Sequence, residues 1–267
     1  MNSRQLIEIL DKLAAPKLAQ SWDNTGVSFG NLDKEISKIM LALEPSEVVI
    51  DQAIQEKVDV LITHHPMIFK PVGALSYDSL IGRKITKLAQ NDIVAFSMHT
   101  NMDVAVMALK SADILGLKDA KHLEVTYLDE ATQTVYGFGS IGSVDNELSM
   151  LECVDLVKEK LNINTVRVIG DMTKKVKKIA ILPGSGKSFI SNVLKENVDV
   201  LITGDIDYHS ASDAIDMGVS IIDAGHFETE HFFVDYMEEF LKKICSDLEN
   251  TSFIITKARE NSPFKYV

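Results

Sequence analysis

The hexapeptide Val58-Asp-Val-Leu-Ile-Thr63 recurs letter for letter as Val198-Asp-Val-Leu-Ile-Thr203. A literal repeat constrains a fold strongly, because both copies must satisfy the same local structure. Lys38-Ile39 and Lys178-Ile179 keep the same offset upstream, so strand, helix and strand repeat as a block without insertion. In the first copy Lys38 to Glu44 reads as a strand, Ser46 as an N-cap and Glu47 to Lys57 as a helix. The apolar, β-branched run that follows reads as a strand buried on both faces. This is a βαβ unit. Two similar α/β half-domains are expected, 1–124 and 125–267, with the C-terminal segment free to return to the first half.

The first copy ends in His64-His65-Pro66. Pro66 has no N–H to continue a ladder, so both imidazoles stand at the carboxyl end of a strand, where open α/β sheets bind their ligands. A helix over Asp78 to Asn91 and a buried strand over Ile93 to Met98 come next, and that strand ends at His99-Thr-Asn-Met-Asp103. A further helix runs from there to Gly116, a natural helix-ending residue. In the second half, the strand Val219 to Ala224 ends at His226, with Glu230 four residues on. A His and an acid four residues apart share a helix face, so each half can aim an imidazole and a carboxylate into one space.

An ion pair on a helix face would explain either pair alone. Both pairs at equivalent strand ends, beside a His-His dipeptide, point instead to metal. Together these imidazoles and two carboxylates exceed what one catalytic ion with an open position takes from a protein, and they suffice for two. Nitrogen and oxygen ligands without thiolate suit zinc, manganese, iron or cobalt, and ligand type does not choose among these. The metal site is expected in the cleft between the halves.

Two glycine strings compete with this reading. Gly137-Phe-Gly-Ser-Ile-Gly142 reads as a glycine-rich turn; it matches a dinucleotide fingerprint, but the next helix, near Leu148 to Leu161, starts too late for its N-terminus to hold a pyrophosphate. Ile181-Leu-Pro-Gly-Ser-Gly-Lys-Ser188 lacks the first glycine of a P-loop, and Pro183 removes an N–H that a phosphate cradle needs. It reads as a glycine turn lining a cleft.

Elsewhere, Leu6, Ile7, Leu10 and Leu13 mark an amphipathic first helix that Pro16 ends, and Ser21 to Gly30, holding the sole tryptophan, reads as a structural corner. A net charge of −12 offers no general attraction to a polyanion, so nucleic acid is excluded as a first reading. Lys174, Lys175, Lys177 and Lys178 read as a solvated turn. Cys153 and Cys245 form no framework, and no basic-then-apolar leader or apolar run of about 18 residues is present. A cytoplasmic, membrane-free location is expected.

At the motifs Trp22-Asp-Asn-Thr-Gly26, Thr63-His-His-Pro66, His99 to Asp103, Gly137 to Gly142, Pro183 to Gly186, Thr203-Gly-Asp205, Asp223 to His226 with Glu230, and Ser262-Pro-Phe264, the sequence resembles the Nif-three-like family. These are the GTP cyclohydrolase 1 type 2 homologues, and the resemblance spans nearly the whole chain. It implies a dinuclear metal centre on His64, His65, Asp103, His226 and Glu230, with His99 outside that set. It also implies a toroidal homohexamer whose metal sites face an internal cavity.

The function expected is that of a dinuclear metal-dependent hydrolase acting on a phosphoester or a nucleotide, with two divalent cations per chain. The alternative is a metal-holding scaffold or regulatory binding protein without turnover. His99, Asp205, His209 and Glu228 are the candidates for a general acid or base. Because successive side chains of extended backbone point apart, His64 and His65 are expected to serve different ions. His65 would join Asp103, His64 would join His226, and Glu230 would bridge.

Overall fold

The computed structural model describes residues 1–248 and 252–265 and divides into two compact units, Met1–Met102 with His231–Asn261 and Asp103–Glu230 with Ser262–Val267. In the first unit α1 (Ser3–Leu13) opens at Asn2, whose side chain accepts from the Gln5 N–H while Gln5 reaches back to the Asn2 N–H, a reciprocal cap. Leu6, Ile7 and Leu10 form its buried stripe. β1 (Gly26–Phe29), β2 (Lys38–Ala42), α2 (Glu47–Gln55), β3 (Val60–Thr63), α3 (Leu80–Gln90), β4 (Val94–Ser97) and the single turn α4 (Thr100–Met102) follow.

The second unit begins with a π-helical segment, Asp103–Met107, that continues into α5 (Ala108–Leu115), which ends at Gly116 in the left-handed region. Then come β5 (Lys118–Asp129), β6 (Thr134–Ser149), α6 (Met150–Leu161), β7 (Arg167–Ile169), β8 (Lys175–Ser185), α7 (Ile190–Lys195), β9 (Val200–Gly204), α8 (Tyr208–Asp216), β10 (Ser220–Asp223) and α9 (His226–Glu230). The chain returns to the first unit through α10 (Phe232–Asp247) and β11 (Ile254–Lys257).

The result is a mixed α/β fold with two sheets. The first sheet has the order β1-β4-β3-β2-β11, parallel except for β1, and the second has the order β5-β6-β8-β9-β10-β7. β2, β3 and β4 are buried almost throughout, as parallel strands covered on both faces must be.

The pairings of the first block recur in the second. Ile39, Met40 and Leu41 face Val60, Leu61 and Ile62, and Ile179, Ala180 and Ile181 face Val200, Leu201 and Ile202. The aspartate of each hexapeptide sets this register. Asp59 Oδ2 accepts from the Ser37 and Lys38 N–H groups at 2.8 and 2.9 Å, and Asp199 Oδ2 accepts from those of Lys177 and Lys178 at 2.9 and 2.8 Å. Lys38 and Lys178 each donate their ammonium to a carbonyl at the end of the intervening helix, Glu56 and Glu196. Burial alone would raise the Asp59 carboxyl, but the hydrogen bonds from Ser37, Lys38 and Lys34 outweigh it and hold the group below the usual carboxylate range.

Three expectations need correction. The string Gly137 to Gly142 is no turn: it lies inside β6, where a Cβ on Gly137 would collide with the Glu124 carbonyl of the paired strand. A strand partner, rather than a turn, selects glycine there. The string at 181–188 likewise belongs to β8 through Ser185, with a shift of register against β9 between Ile181 and Ser185 where Gly184 takes φ +73°. Finally, the helix after His99 does not run uninterrupted, since Asp103 opens a π-helical stretch. Such stretches insert a residue into the ladder and are frequent at functional sites. Among the described residues no helix is long and apolar enough to cross a membrane.

Candidate metal centre

β3 ends at Thr63, and the two histidines beyond it stay registered on the preceding strand: the His64 N–H donates to the Ala42 carbonyl and the His65 N–H to that of Leu43. The Thr63 hydroxyl donates to the His65 carbonyl at 2.7 Å. The His64 ring is fully buried, with Nδ1 2.8 Å from the Met98 carbonyl oxygen. A carbonyl only accepts, so the ring proton sits on Nδ1 and the lone pair on Nε2. His65 repeats the arrangement against Glu44 Oε2 at 2.8 Å, and His99 against Asp23 Oδ1 at 2.9 Å.

The three rings gather at the strand ends. Their centroids are 5.1 Å apart for His64 and His65, 5.3 Å for His64 and His99, and 5.7 Å for His65 and His99. One ring nitrogen from each lies within 4.8 Å of the other two. His64 and His65 are not sent to opposite faces, because the strand has already ended and each ring is steered by its own acceptor. His99 belongs to this cluster, although the family resemblance leaves it outside the ligand set.

Asp23 carries His99. Its side chain is fully buried and also accepts from the Thr100 N–H at 3.0 Å and the Thr100 hydroxyl at 2.5 Å. Burial pushes this carboxyl up, and the bonds from His99 and Thr100 more than reverse that, leaving it below the ordinary value. Thr25 Oγ1 accepts from the His99 N–H and donates to the Ser97 carbonyl. The Trp22-Asp-Asn-Thr motif is thus the mount of His99 rather than a corner alone.

In the second unit His226 and Glu230 share one face of α9, with Nε2 and Oε2 2.9 Å apart. His226 Nδ1 lies 2.7 Å from Asp205 Oδ2, the same outer-carboxylate pattern as His65. Asp205 can reach because it adopts a left-handed backbone, φ 58°. Asp223 fixes both loops: it accepts from the Ile206 and Gly225 N–H groups and pairs with Arg167, which also donates to the Ile206 carbonyl. An oxygen of Asp103 lies within 4.8 Å of one of Glu230. Two carboxylates that close repel unless a cation or proton lies between them, so this donor set fits a metal ion.

Two strand glycines make room for these ligands. A Cβ on Gly184 would overlap Glu230 Oε1, and one on Gly204 would overlap the His226 backbone. The Gly184 N–H donates to Thr229 Oγ1 at 2.9 Å, seating α9 on the end of β8. Of the other acid–base candidates, His209 is exposed beside Tyr208 and Glu228 packs near Gly225. Asp205 serves as the partner of His226. Glu44 escaped the sequence reading because an acid at the end of a strand reads as ordinary surface.

The Duf34/NIF3 (NGG1p interacting factor 3) family model matches residues 1–262. A Clostridium perfringens protein described as a GTP cyclohydrolase 1 type 2 homolog is 34% identical over 270 residues, covering 100% of both chains. A Bacillus cereus protein related to NIF3 superposes with a TM-score of 0.92 at 24% identity, over 100% of this chain and 99% of its own. Staphylococcus aureus protein SA1388 superposes with a TM-score of 0.89 at 29% identity and the same coverage. Sequence motifs, two-sheet architecture and full-length similarity agree, and the chain belongs to the Duf34/NIF3 family.

Proposed function

We propose that this chain binds two divalent transition-metal ions through His64, His65, Asp103, His226 and Glu230, and that it is a metal-dependent hydrolase of a phosphoester or nucleotide. The observation that carries the reading is shared by His64, His65 and His226: each engages an acceptor through Nδ1, a carbonyl or a carboxylate, so Nε2 is the ligating atom. In this reading the five residues share two ions between them, and Glu230 would serve both. When bound, such ions supply a nucleophile at neutral pH and Lewis-acid polarisation of a phosphoryl group or a ring carbon. Glu44 and Asp205 keep two of the imidazoles aimed, and His99, mounted on Asp23, is the group available to hold or move a proton at Nε2.

Metal counting on protein purified without chelator and supplemented with metal tests the proposal. Two ions per chain are expected, falling to about one in Asp103→Ala and to none in Glu230→Ala. One ion or none in the unaltered protein would overturn the dinuclear reading, and a Glu230→Ala protein that keeps both ions would overturn the bridge. Full metal occupancy without turnover of phosphoesters or nucleotides would favour the scaffold.

The resemblance also supports a homohexamer, which we propose for this chain. Light scattering should give about six times the chain mass of 29.6 kDa. A stable monomer at any concentration would refute it.

A further inference from the structure

Two large aromatic side chains stand open beside the histidine cluster. Trp22, the sole tryptophan, is 62% exposed, and Phe69 is 53% exposed. Both pack against the same imidazole. The Trp22 and His99 rings have centroids 6.0 Å apart at 73°, and those of Phe69 and His99 are 5.6 Å apart at 84°. Rings of this size usually bury their surface, and these two keep more than half of it open where a neighbouring ring already anchors each.

Their positions are also fixed by the segments that carry them. The Asn24 side chain donates to the Ile68 carbonyl at 2.7 Å, which ties the turn after Trp22 to the residue before Phe69. Asp23 holds His99, and Thr25 holds the His99 backbone. A stacking surface preorganised in this way costs little ordering when a ligand arrives.

We propose that Trp22 and Phe69 are the specificity-determining pair of the site, stacking a flat heteroaromatic ring, so that the phosphoester acted on is of the nucleoside monophosphate class. The inference deepens the hydrolase reading and rests on it for the position of the phosphoryl group. The two rings adjoin His99, which lies 5.3 and 5.7 Å from His64 and His65. A ring stacked there lies beside the imidazole that neighbours both of those histidines. Nucleobases suit this surface because every base presents a π-face, and base–aromatic stacking tolerates different bases. Sugar phosphates without a base have nothing to stack.

Trp22 is its own reporter. Metal-loaded protein is titrated with AMP and with GMP, with ribose 5-phosphate as the control, while Trp22 emission is followed at the red edge of indole absorption. Saturable quenching by both nucleotides and none by ribose 5-phosphate is expected. Phe69→Leu keeps the apolar bulk and removes the π-face, so it should weaken nucleotide binding about tenfold while metal content and circular dichroism stay unchanged.

The pair is wrong if nucleotides bind without altering Trp22 emission, or if Phe69→Leu binds them as the unaltered protein does. Quenching that follows protein concentration instead of ligand would mean that a second copy covers the rings, and would also overturn the proposal. Failure of the metal reading is distinguishable. Quenching by nucleotides, lost in Phe69→Leu, in protein that takes up no metal would sustain the stacking pair and sink the dinuclear centre.

Discussion

Gly184→Ala is expected to strip metal from the site as thoroughly as Glu230→Ala does, although no ligand changes. Gly184 sits at φ +73°, where a side chain costs about 1–2 kcal/mol, and the added methyl would occupy the place of Glu230 Oε1, 3.5 Å from His226 Nε2. Glu230 is buried, and Thr229 beside it is bonded to the Gly184 N–H, so α9 cannot retreat without losing that bond. The carboxylate must turn away from the ligating position. Elemental analysis is the readout, with a fall in melting temperature of a few degrees as the accompanying sign of strain. Two ions retained by a folded Gly184→Ala protein would show that Gly184 does not shape the site.

Asp23→Ala should be among the most destabilising single changes outside the apolar core, at about 2–4 kcal/mol. It leaves the Thr100 N–H, the Thr100 hydroxyl and His99 Nδ1 without their shared acceptor in a place where water does not reach. Asp23→Asn should recover part of the loss, because an amide oxygen still accepts from Thr100. Urea unfolding of metal-free protein measures both, and a loss below about 1 kcal/mol for the alanine variant would mean the mount is dispensable. Trp22 emission should shift in the native state of Asp23→Ala as its neighbour His99 loosens.

The hexapeptide and its flanking residues made the two βαβ blocks legible because burial on both faces leaves a continuous apolar run, and Ser46 announces its helix by capping chemistry. The ligand-type residues were legible because His64, His65 and His226 follow such runs directly. The glycine strings were not. Gly137 and Gly184 are needed because a neighbouring carbonyl and a carboxylate occupy the space of a Cβ, and that neighbour, Glu124 in one case and Glu230 in the other, belongs to a different element of the fold. Local pattern sees only a turn. Asp23 and Glu44 were missed for a related reason: their importance lies in which imidazole they meet, and only the fold decides that.

β11 gives the order in which such a molecule can be completed during synthesis. Ile254 to Lys257 pair in parallel with Lys38 to Leu41, and beyond them Arg259 exchanges hydrogen bonds with Gln52 while Glu260 accepts from the Leu43 and Glu44 N–H groups. The main body of the second unit, Asp103–Glu230, is contiguous and can assemble as it leaves the ribosome. The first sheet must wait for nearly all of the chain before its edge strand arrives, a closure with a high entropic cost. Since Glu44 orients His65, a segment that emerges after every proposed ligand also braces the backbone that aims an imidazole translated long before it. A nascent chain stopped short of residue 254 would carry every proposed ligand and lack that brace, so the proposed metal loading is expected to come later than synthesis of the ligands themselves.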